Sequence, residues 1–539
     1  MAINQPTLAA VLAKQSSGGL APFRERAFAV LWIATVLGNI GTFIANLANS
    51  WLATGLSASP AAVTLVQAAG TLPIFLLSIP AGVLSDIFDR RRFLIGTQVF
   101  LALTSFTLMS LSFSGLLTLT SLVVLTFAGG VGTALMVPVW MAVVPELVPM
   151  RDLKSAVTLN SLGLNIARSI GPAAGGVLLA AGGAAVTYGT DVISYVFVIA
   201  ALLWWRRTPS VDDALSERFL GAFRAGLRYA KASRDLHLVL LRAAIFFAFA
   251  SAFWALLPLV ARDVLGGDAG FYGVLLGAVG VGAVFGAFAL PSLRRRADAD
   301  GLLLGASIVT AAVTGGLGLA PPKWIAVAAL IILGAAWIVA LTTLNGSAQG
   351  ILPNWVRGRA LAIYFTVFNG ALTAGSLGWG LVAQGIGVPG ALFGCAVLFV
   401  GAAIMLHRVR LPVGEADLEP SNHWPEPLTA DAIPSDRGPV LILVEYRVTA
   451  ENRQVFLKAL EALSEERRRD GAYGWGVTED AAAPDRIVEW FMVESWAEHL
   501  RQHKRVSNAD AALQLSVVGL HAGPNEPVVR HLLAVQAGR

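Results

Sequence analysis

Three places in this chain hold residues whose types and spacing could do chemistry. The first is the run Gly82-Val-Leu-Ser-Asp86-Ile-Phe-Asp-Arg90-Arg91-Arg92, set between two long apolar segments. A carboxylate held at a membrane surface can pair with a guanidinium or dock on the positive end of a facing helix, and let go again. The second is Arg168 and Asp191, each deep in an apolar segment. At about 1.5 Å per residue, Arg168 lies about 21 Å from Lys154, and Asp191 about 22 Å from Arg206. The two therefore share a depth on consecutive helices of opposite direction. A charge at that depth costs about 2.5–3.5 kcal/mol on insertion scales, which predicts an intramembrane Arg168–Asp191 pair; the alternative puts Asp191 nearer the outer surface and Arg168 against carbonyls alone. The third is His503, in the polar C-terminal part.

The elements that must position these groups follow from composition. Hydrophobic residues make up 56% of the 539 and charged residues 14%, well under the roughly 25% charged of soluble domains. That balance predicts a polytopic membrane protein. The formal charge of +5 sits in short loops and implies no nucleic-acid partner. The single cysteine, Cys395, rules out an intrachain disulfide framework and a Cys-based metal site. No Walker-type loop is present, which argues against direct ATP drive, and no metal-ligand cluster accompanies His503. No cofactor is expected. The first 27 residues lack a signal-peptide pattern and read as a cytoplasmic N-terminal tail.

Twelve apolar segments are long enough to cross a bilayer, at about 20 residues each. They run over roughly 28–54, 61–85, 93–114, 116–144, 155–181, 184–205, 239–262, 270–292, 300–319, 323–347, 359–384 and 388–407. Alternate loops carry Arg90 to Arg92, Arg151 and Lys154, Arg206 to Arg234, Arg294 to Arg296, Arg357 and Arg359, then Arg408 and Arg410. The others carry only Arg262 and Lys323. This alternation is the positive-inside pattern and puts both termini in the cytoplasm. A cytoplasmic loop at 206–238 divides two six-helix halves, 28–205 and 239–411. In it, Phe219, Phe223 and Leu227 recur every fourth residue, as on an amphipathic helix.

Beyond residue 411 the chain turns polar. A proline-rich linker covers 412–437. In 438–539, strands are expected at 438–447, 473–480, 486–495 and 527–535. Helices are expected at 449–469 and from about Ser495 through His503. The order βαββαβ predicts a ferredoxin-like α+β domain.

The run at 82–92 resembles the loop between spans two and three of the major facilitator superfamily, with Gly82, Leu84, Asp86, Arg90 and Arg91 at its positions. In that family these charges form a gating relay with a facing helix N-terminus. Here that implies the start of span eleven at Arg357 and Arg359. Ile87 and Asp89 depart from the family's basic residue and glycine. Gly171, Pro172, Gly175 and Gly176 resemble the span-five motif of the superfamily's antiporters: the glycines allow close packing and the proline a bend. Residues 39–51, 138–148 and 352–360 resemble the transmembrane secretion effector branch, which includes enterobactin-exporter-like carriers. Asn354 stands where that branch often has aspartate. Span four lacks the arginine that proton-coupled drug exporters often carry. Glu494, Trp496 and His503 resemble the dimeric α/β barrel of antibiotic-biosynthesis-monooxygenase-like proteins. In this tail His503 reads as a fold or interface residue.

The resemblance implies an all-α carrier of twelve transmembrane helices in a 6+6 arrangement in the cytoplasmic (inner) membrane, with the C-terminal domain cytoplasmic. Its partners would be a small-molecule cargo, a coupling ion (H+), the lipid bilayer and a second copy through the tail. Asn39, Asn46, Gln67, Trp140, Asn165, Trp254, Asn345, Gln349 and Asn369 are the candidates to line the cargo cavity. The expected activity is export rather than catalysis. The alternatives are a membrane-tethered monooxygenase-like enzyme and a ligand-sensing domain coupled to the carrier.

Overall fold

The computed structural model describes residues 19–206, 219–353, 355–412, 421, 433–434 and 436–535. Side chains at 79, 82, 83, 85–87, 219–225 and 504 are not described. Most of the expected N-terminal tail, most of the 412–437 linker and Asn354 lie outside the described residues.

Among the described residues, ten helices are long and apolar enough to cross a membrane. They are α1 (Arg26–Leu56), α2 (Pro60–Ile87), α3 (Arg90–Phe113), α4 (Leu119–Val143), α5 (Leu153–Trp204), α7 (Arg234–Leu259), α8 (Ala269–Arg294), α9 (Ala299–Leu317), α10 (Lys323–Gly350) and α11 (Arg357–His407). The short α6 (Phe219–Ala232) lies in the central loop. Starts are set by side chains that accept from free N–H groups of the first turn. Ser59 caps α2, Asp89 caps α3, Thr118 and Ser121 form a capping box on α4, Asp268 caps α8 and Asp298 caps α9.

Two helices are about twice the expected length. The sequence reading puts a break between 181 and 184 and another between 384 and 388. α5 runs 52 residues and α11 runs 51, each interrupted by one non-helical glycine. Gly183 has φ 72° and ψ −176°, and Gly387 φ 80° and ψ 161°. A side chain is strained at such angles, so one glycine replaces a polar loop at each point.

The helices fall largely into one compact unit that holds α1–α5, Arg242–Leu344 and Phe365–Arg410. Phe28, Leu31, Leu94, Val139, Leu202 and Trp205 form a core joining α1, α3, α4 and the end of α5. Two arginines staple helix ends, where terminal carbonyls lack helical partners. Arg91 donates to Leu202 O at 2.8 Å and Leu203 O at 2.7 Å. Arg242 donates to Leu406 O at 2.5 Å and Val409 O at 2.6 Å, and its Nη2 lies 3.0 Å from Asp300 Oδ1. That ion pair is buried, with side chains 4% and 8% exposed.

A second unit gathers α6 through Leu241, the stretch Asn345–Tyr364 and the chain beyond Leu411. Its sheet has strands β1 (Val440–Arg447), β2 (Gly474–Asp480), β3 (Ala483–Val493) and β4 (Val528–Leu533) in the order β2-β3-β1-β4, all neighbours antiparallel. α12 (Arg453–Arg469) follows β1. The single helix expected after β3 is two, α13 (Trp496–Arg505) and α14 (Asn508–Val518). Ser507 caps α14 in a box with Asp510. Alternate residues Val440, Ile442, Val444 and Tyr446 of β1 turn inward, with Ile487, Phe491 and Val493 of β3. They pack on Phe456, Leu460 and Leu463 of α12. Glu489 occupies an inward position and is fully buried. Arg467 Nε at 3.3 Å, Trp475 Nε1 at 3.0 Å and the Tyr446 hydroxyl at 3.3 Å donate to it, which satisfies the carboxylate.

Candidate transport pathway and its gates

Gly82 and Asp86 fall in the last two turns of α2, and their side chains lie outside those described. The arginines after them bind within their own half. Arg90 Nη1 donates to Glu146 Oε1 at 2.5 Å and to Ala142 O at 3.2 Å, while Arg91 holds the end of α5 as above. Sequence reading missed Glu146 because nothing local links it to the basic run. Arg357 donates to Leu352 O in its own loop at 3.2 and 3.3 Å. Arg359 packs its stem against Gly226.

The expected Arg168–Asp191 pair does not form. Asp191 is 1% exposed, accepts from Ser105 Oγ of α3 at 2.6 Å, and faces Gly41 of α1, where an added Cβ would lie 2.8 Å from its Oδ1. The Arg168 guanidinium lies over the Phe43 ring, 5.9 Å from its centroid. Helical rise gives depth alone. The angle around each helix turns the two groups to different neighbours.

The glycine motif serves two contacts. A Cβ on Gly171 would lie 2.5 Å from Phe43 Cβ, and one on Gly175 3.1 Å from Ile44 Cα, so both press on α1. Gly176 faces α8 instead: its added Cβ would lie 2.7 Å from Gly273 Cα. That seam continues through Ala180 with Gly270, Ala173 with Gly277 and Ser169 with Gly280. Close backbone approach of this kind needs residues without side chains. Pro172 O is part of it, 3.0 Å from a Cβ on Gly273.

A second seam joins α2 to α11. Thr71 Oγ1 and Thr373 Oγ1 are 2.7 Å apart, as are Ser78 Oγ and Thr366 Oγ1. Thr64 packs on Gly380, and Ser59 donates to Gln384 at 3.1 Å. Thr64, Thr71 and Ser78 are seven apart, and so are Thr366, Thr373 and Gly380. A spacing of seven keeps one stripe facing a neighbour along its length. The signal is in the sequence and was not read there. Cysteines at 71 and 373 are expected to crosslink under mild oxidation. With a protease site engineered into the central loop, the two cleaved halves should then stay joined until reduced. Halves that part without reductant would contradict the seam.

Most of the cavity candidates hold local contacts. Trp140 Nε1 donates to Asn160 Oδ1 at 3.0 Å, Asn165 Nδ2 to Ser161 O at 3.0 Å, and Gln349 Nε2 to Asn345 Oδ1 at 3.3 Å. Asn369 is buried and donates to Phe365 O at 2.8 Å. Trp254 belongs to an aromatic cluster with Phe253 and Trp337. Asn39 and Gln67 are half-buried, and Asn46 is exposed.

A family model described as transmembrane secretion effector, of the major facilitator type, matches residues 17–538. The chain belongs to this family of membrane transporters. The transporter is 24% identical over 258 residues to the staphyloferrin A transporter of Staphylococcus aureus (strain NCTC 8325 / PS 47), covering 47% of this chain and 64% of that one. It is 23% identical over 245 residues to macrolide efflux protein A of Streptococcus pyogenes, covering 44% and 60%. The chain thus spans under two thirds of either relative's length. In fold it is similar to a bacterial homologue of the human lysosomal transporter Spinster, solved inward-facing and unoccupied, at TM-score 0.57 and 15% identity over 72% of this chain and 97% of that one.

The transporter's second unit clamps its tail on the central helix. Arg228 Nη1 lies 2.6 Å from Glu494 Oε1, and its Nη2 lies 3.2 Å from Glu498 Oε1. Arg469 lies over the Tyr229 ring, and Arg505 over the Trp355 ring at 4.3 Å. Leu227, expected on the packed stripe, is 39% exposed; among the residues of α6 whose burial is described, Gly226, Tyr229 and Ala230 are buried. Behind the clamp Glu466 is buried with neither carboxylate oxygen hydrogen-bonded, and burial pushes it up to about 9. Burial likewise pushes Asp470 up to about 7. Carboxyls raised this way bind protons that the unfolded chain releases near about pH 4. The tail is therefore expected to lose stability as pH rises from there to about 9. Melts of the full chain followed by tail tryptophan fluorescence should show this slope, and Glu466→Gln should flatten it. An unchanged slope in that variant would assign the effect elsewhere.

His503 does not stand alone as expected. Against the expectation of no metal-ligand cluster, His499, His503 and His531 each present a ring nitrogen within 4.8 Å of the others. Sequence reading missed this because His531 lies on a different element.

Proposed function

We propose that this transporter is a secondary active exporter of a small natural product, a siderophore, drug or comparable molecule, across the cytoplasmic membrane. Cargo enters between two six-helix halves that rock, driven by a coupling ion, H+. In this reading Gly183 and Gly387 are tight turns between paired spans, so the ten helices make twelve. Both termini and the C-terminal domain then face the cytoplasm, which the basic-loop alternation supports. The observation that carries the reading is the pair of seams, α2 on α11 and α5 on α8. Each joins a helix of one half to a helix of the other through small or hydroxyl residues, contacts that two rocking bodies can remake. Similarity to a staphyloferrin A transporter and a macrolide efflux protein supports export of such cargo. Asp86 with Arg357 and Arg359 remains our candidate latch. The test is untargeted metabolite analysis of cells and medium from a deletion strain. The cargo should accumulate in cells and return to the medium on complementation; no compound behaving so would count against export.

The tail's clamp favours a sensing role for a ferredoxin-like domain over a monooxygenase-like enzyme. Its sheet order β2-β3-β1-β4 supports that fold, and the sheet face away from the helices is the surface for a second copy. Deleting 412–539 discriminates. A sensor's loss changes the rate or regulation of export and leaves the exported compound the same. An enzyme's loss changes the compound.

A further inference from the structure

We propose that the tail binds one transition-metal ion, with zinc as the fitting species, through His499, His503 and His531. His499 and His503 stand four apart on α13, so they lie one turn above each other on one face. Their Nε2 atoms are 3.2 Å apart. A zinc ion with Zn–N bonds of about 2.0–2.1 Å sets tetrahedral N···N edges of about 3.3–3.4 Å, so this pair already has nearly the spacing of two ligands. His531 comes from β4. It stands opposite Ile442 in register, on the sheet face that the helices cover, and its ring centroid is 4.6 Å from that of His499. A small turn of its ring completes a three-nitrogen set.

The surroundings support a ligand-bearing site over simple packing. His499 is 1% exposed and its Nδ1 has no hydrogen-bond partner. Gln502, on the same helix, is also buried with both amide atoms unpartnered. It is near enough to His499 to interact with it. A turn of that amide lets Nδ1–H donate to Gln502 Oε1. This fixes the tautomer that points the Nε2 lone pair at the ion, the usual supporting contact for a metal-bound histidine. His503 and His531 are half-buried, which leaves a fourth position for water or a small ligand. The bland alternative is one histidine–histidine hydrogen bond inside a packed domain. It accounts for the 3.2 Å contact. It accounts for neither His531 nor the two unpartnered groups behind His499.

The inference does not depend on the cargo or on transport. The full chain, purified in detergent through a tag without histidine, is stripped with chelator and then given Zn2+ or Co2+ alone. Zinc should bind at one per chain, and Co2+ should give the intense visible bands of a four-coordinate site. Both signals should vanish in His503→Gln, a half-exposed position expected to fold, and in His531→Gln. Gln502→Ala should weaken binding about 10–100-fold. His237→Gln, on an exposed residue, should change nothing. The proposal is overturned by a parent chain that takes up no stoichiometric zinc and shows no such bands, or by unchanged binding in both His503→Gln and His531→Gln.

Discussion

Leucine at Gly176 or Gly273 is expected to abolish export, and alanine to reduce it strongly, at normal protein levels in the membrane. The added Cβ at Gly176 meets backbone, Gly273 Cα at 2.7 Å, so no flexible side chain can give way. The same holds in reverse at Gly273, whose added Cβ meets Gly176 Cα at 2.7 Å and Pro172 O at 3.0 Å. Overpacking costs about 1–3 kcal/mol. Placed on one side of a two-state balance, that shifts the populations by about 5–150-fold. The helices must part, and the arrangement in which α5 touches α8 is lost while the other remains. Cargo in the medium, normalised to transporter in the membrane, measures this. Parent-like export by Gly176→Ala at equal protein level would remove the seam from the transport cycle.

The second large effect concerns folding. Asp300→Ala leaves Arg242 charged and buried against two carbonyls. Removing one member of a buried pair costs about 3–5 kcal/mol, a large share of a typical protein's stability of about 5–15 kcal/mol. The variant should show little monodisperse protein after detergent extraction. Arg242→Met with Asp300→Leu should recover much of it, because no charge is then left alone. A double variant as poor as Asp300→Ala would mean that the staple to Leu406 and Val409 matters more than the ion pair.

Much of this architecture was open to reading because membrane spans are written in composition. Twelve apolar segments and a polar tail account for nearly every helix and strand boundary within a few residues. The exceptions have physical causes. Gly183 and Gly387 turn the chain without a polar loop, so helices expected to be separate run on as α5 and α11. Arg168 and Asp191 were placed at one depth by helical rise, but their partners depend on azimuth, which an apolar sequence with few markers does not fix. The hydroxyl stripe through Thr64, Thr71 and Ser78 is legible by its spacing of seven, but small hydroxyls in an apolar helix can equally bond their own backbone, as Thr71 does to Gln67 O. The clamp on Arg228 was not legible at all, since Glu494 is 266 residues away.

That separation has a cost in time. The chain is made from its N-terminus at roughly 5–20 residues per second. Arg228 therefore waits roughly 13–50 s for Glu494 to be synthesised. Through that interval Tyr229 lacks the Arg469 side chain that later lies over its ring, and Trp355, once made, lacks Arg505. The tail is thus made well after the helix that it contacts. A chain truncated before residue 494 would expose this helix to proteases and chaperones for its whole life. Cellular quality control could read that exposed helix as the mark of an unfinished transporter.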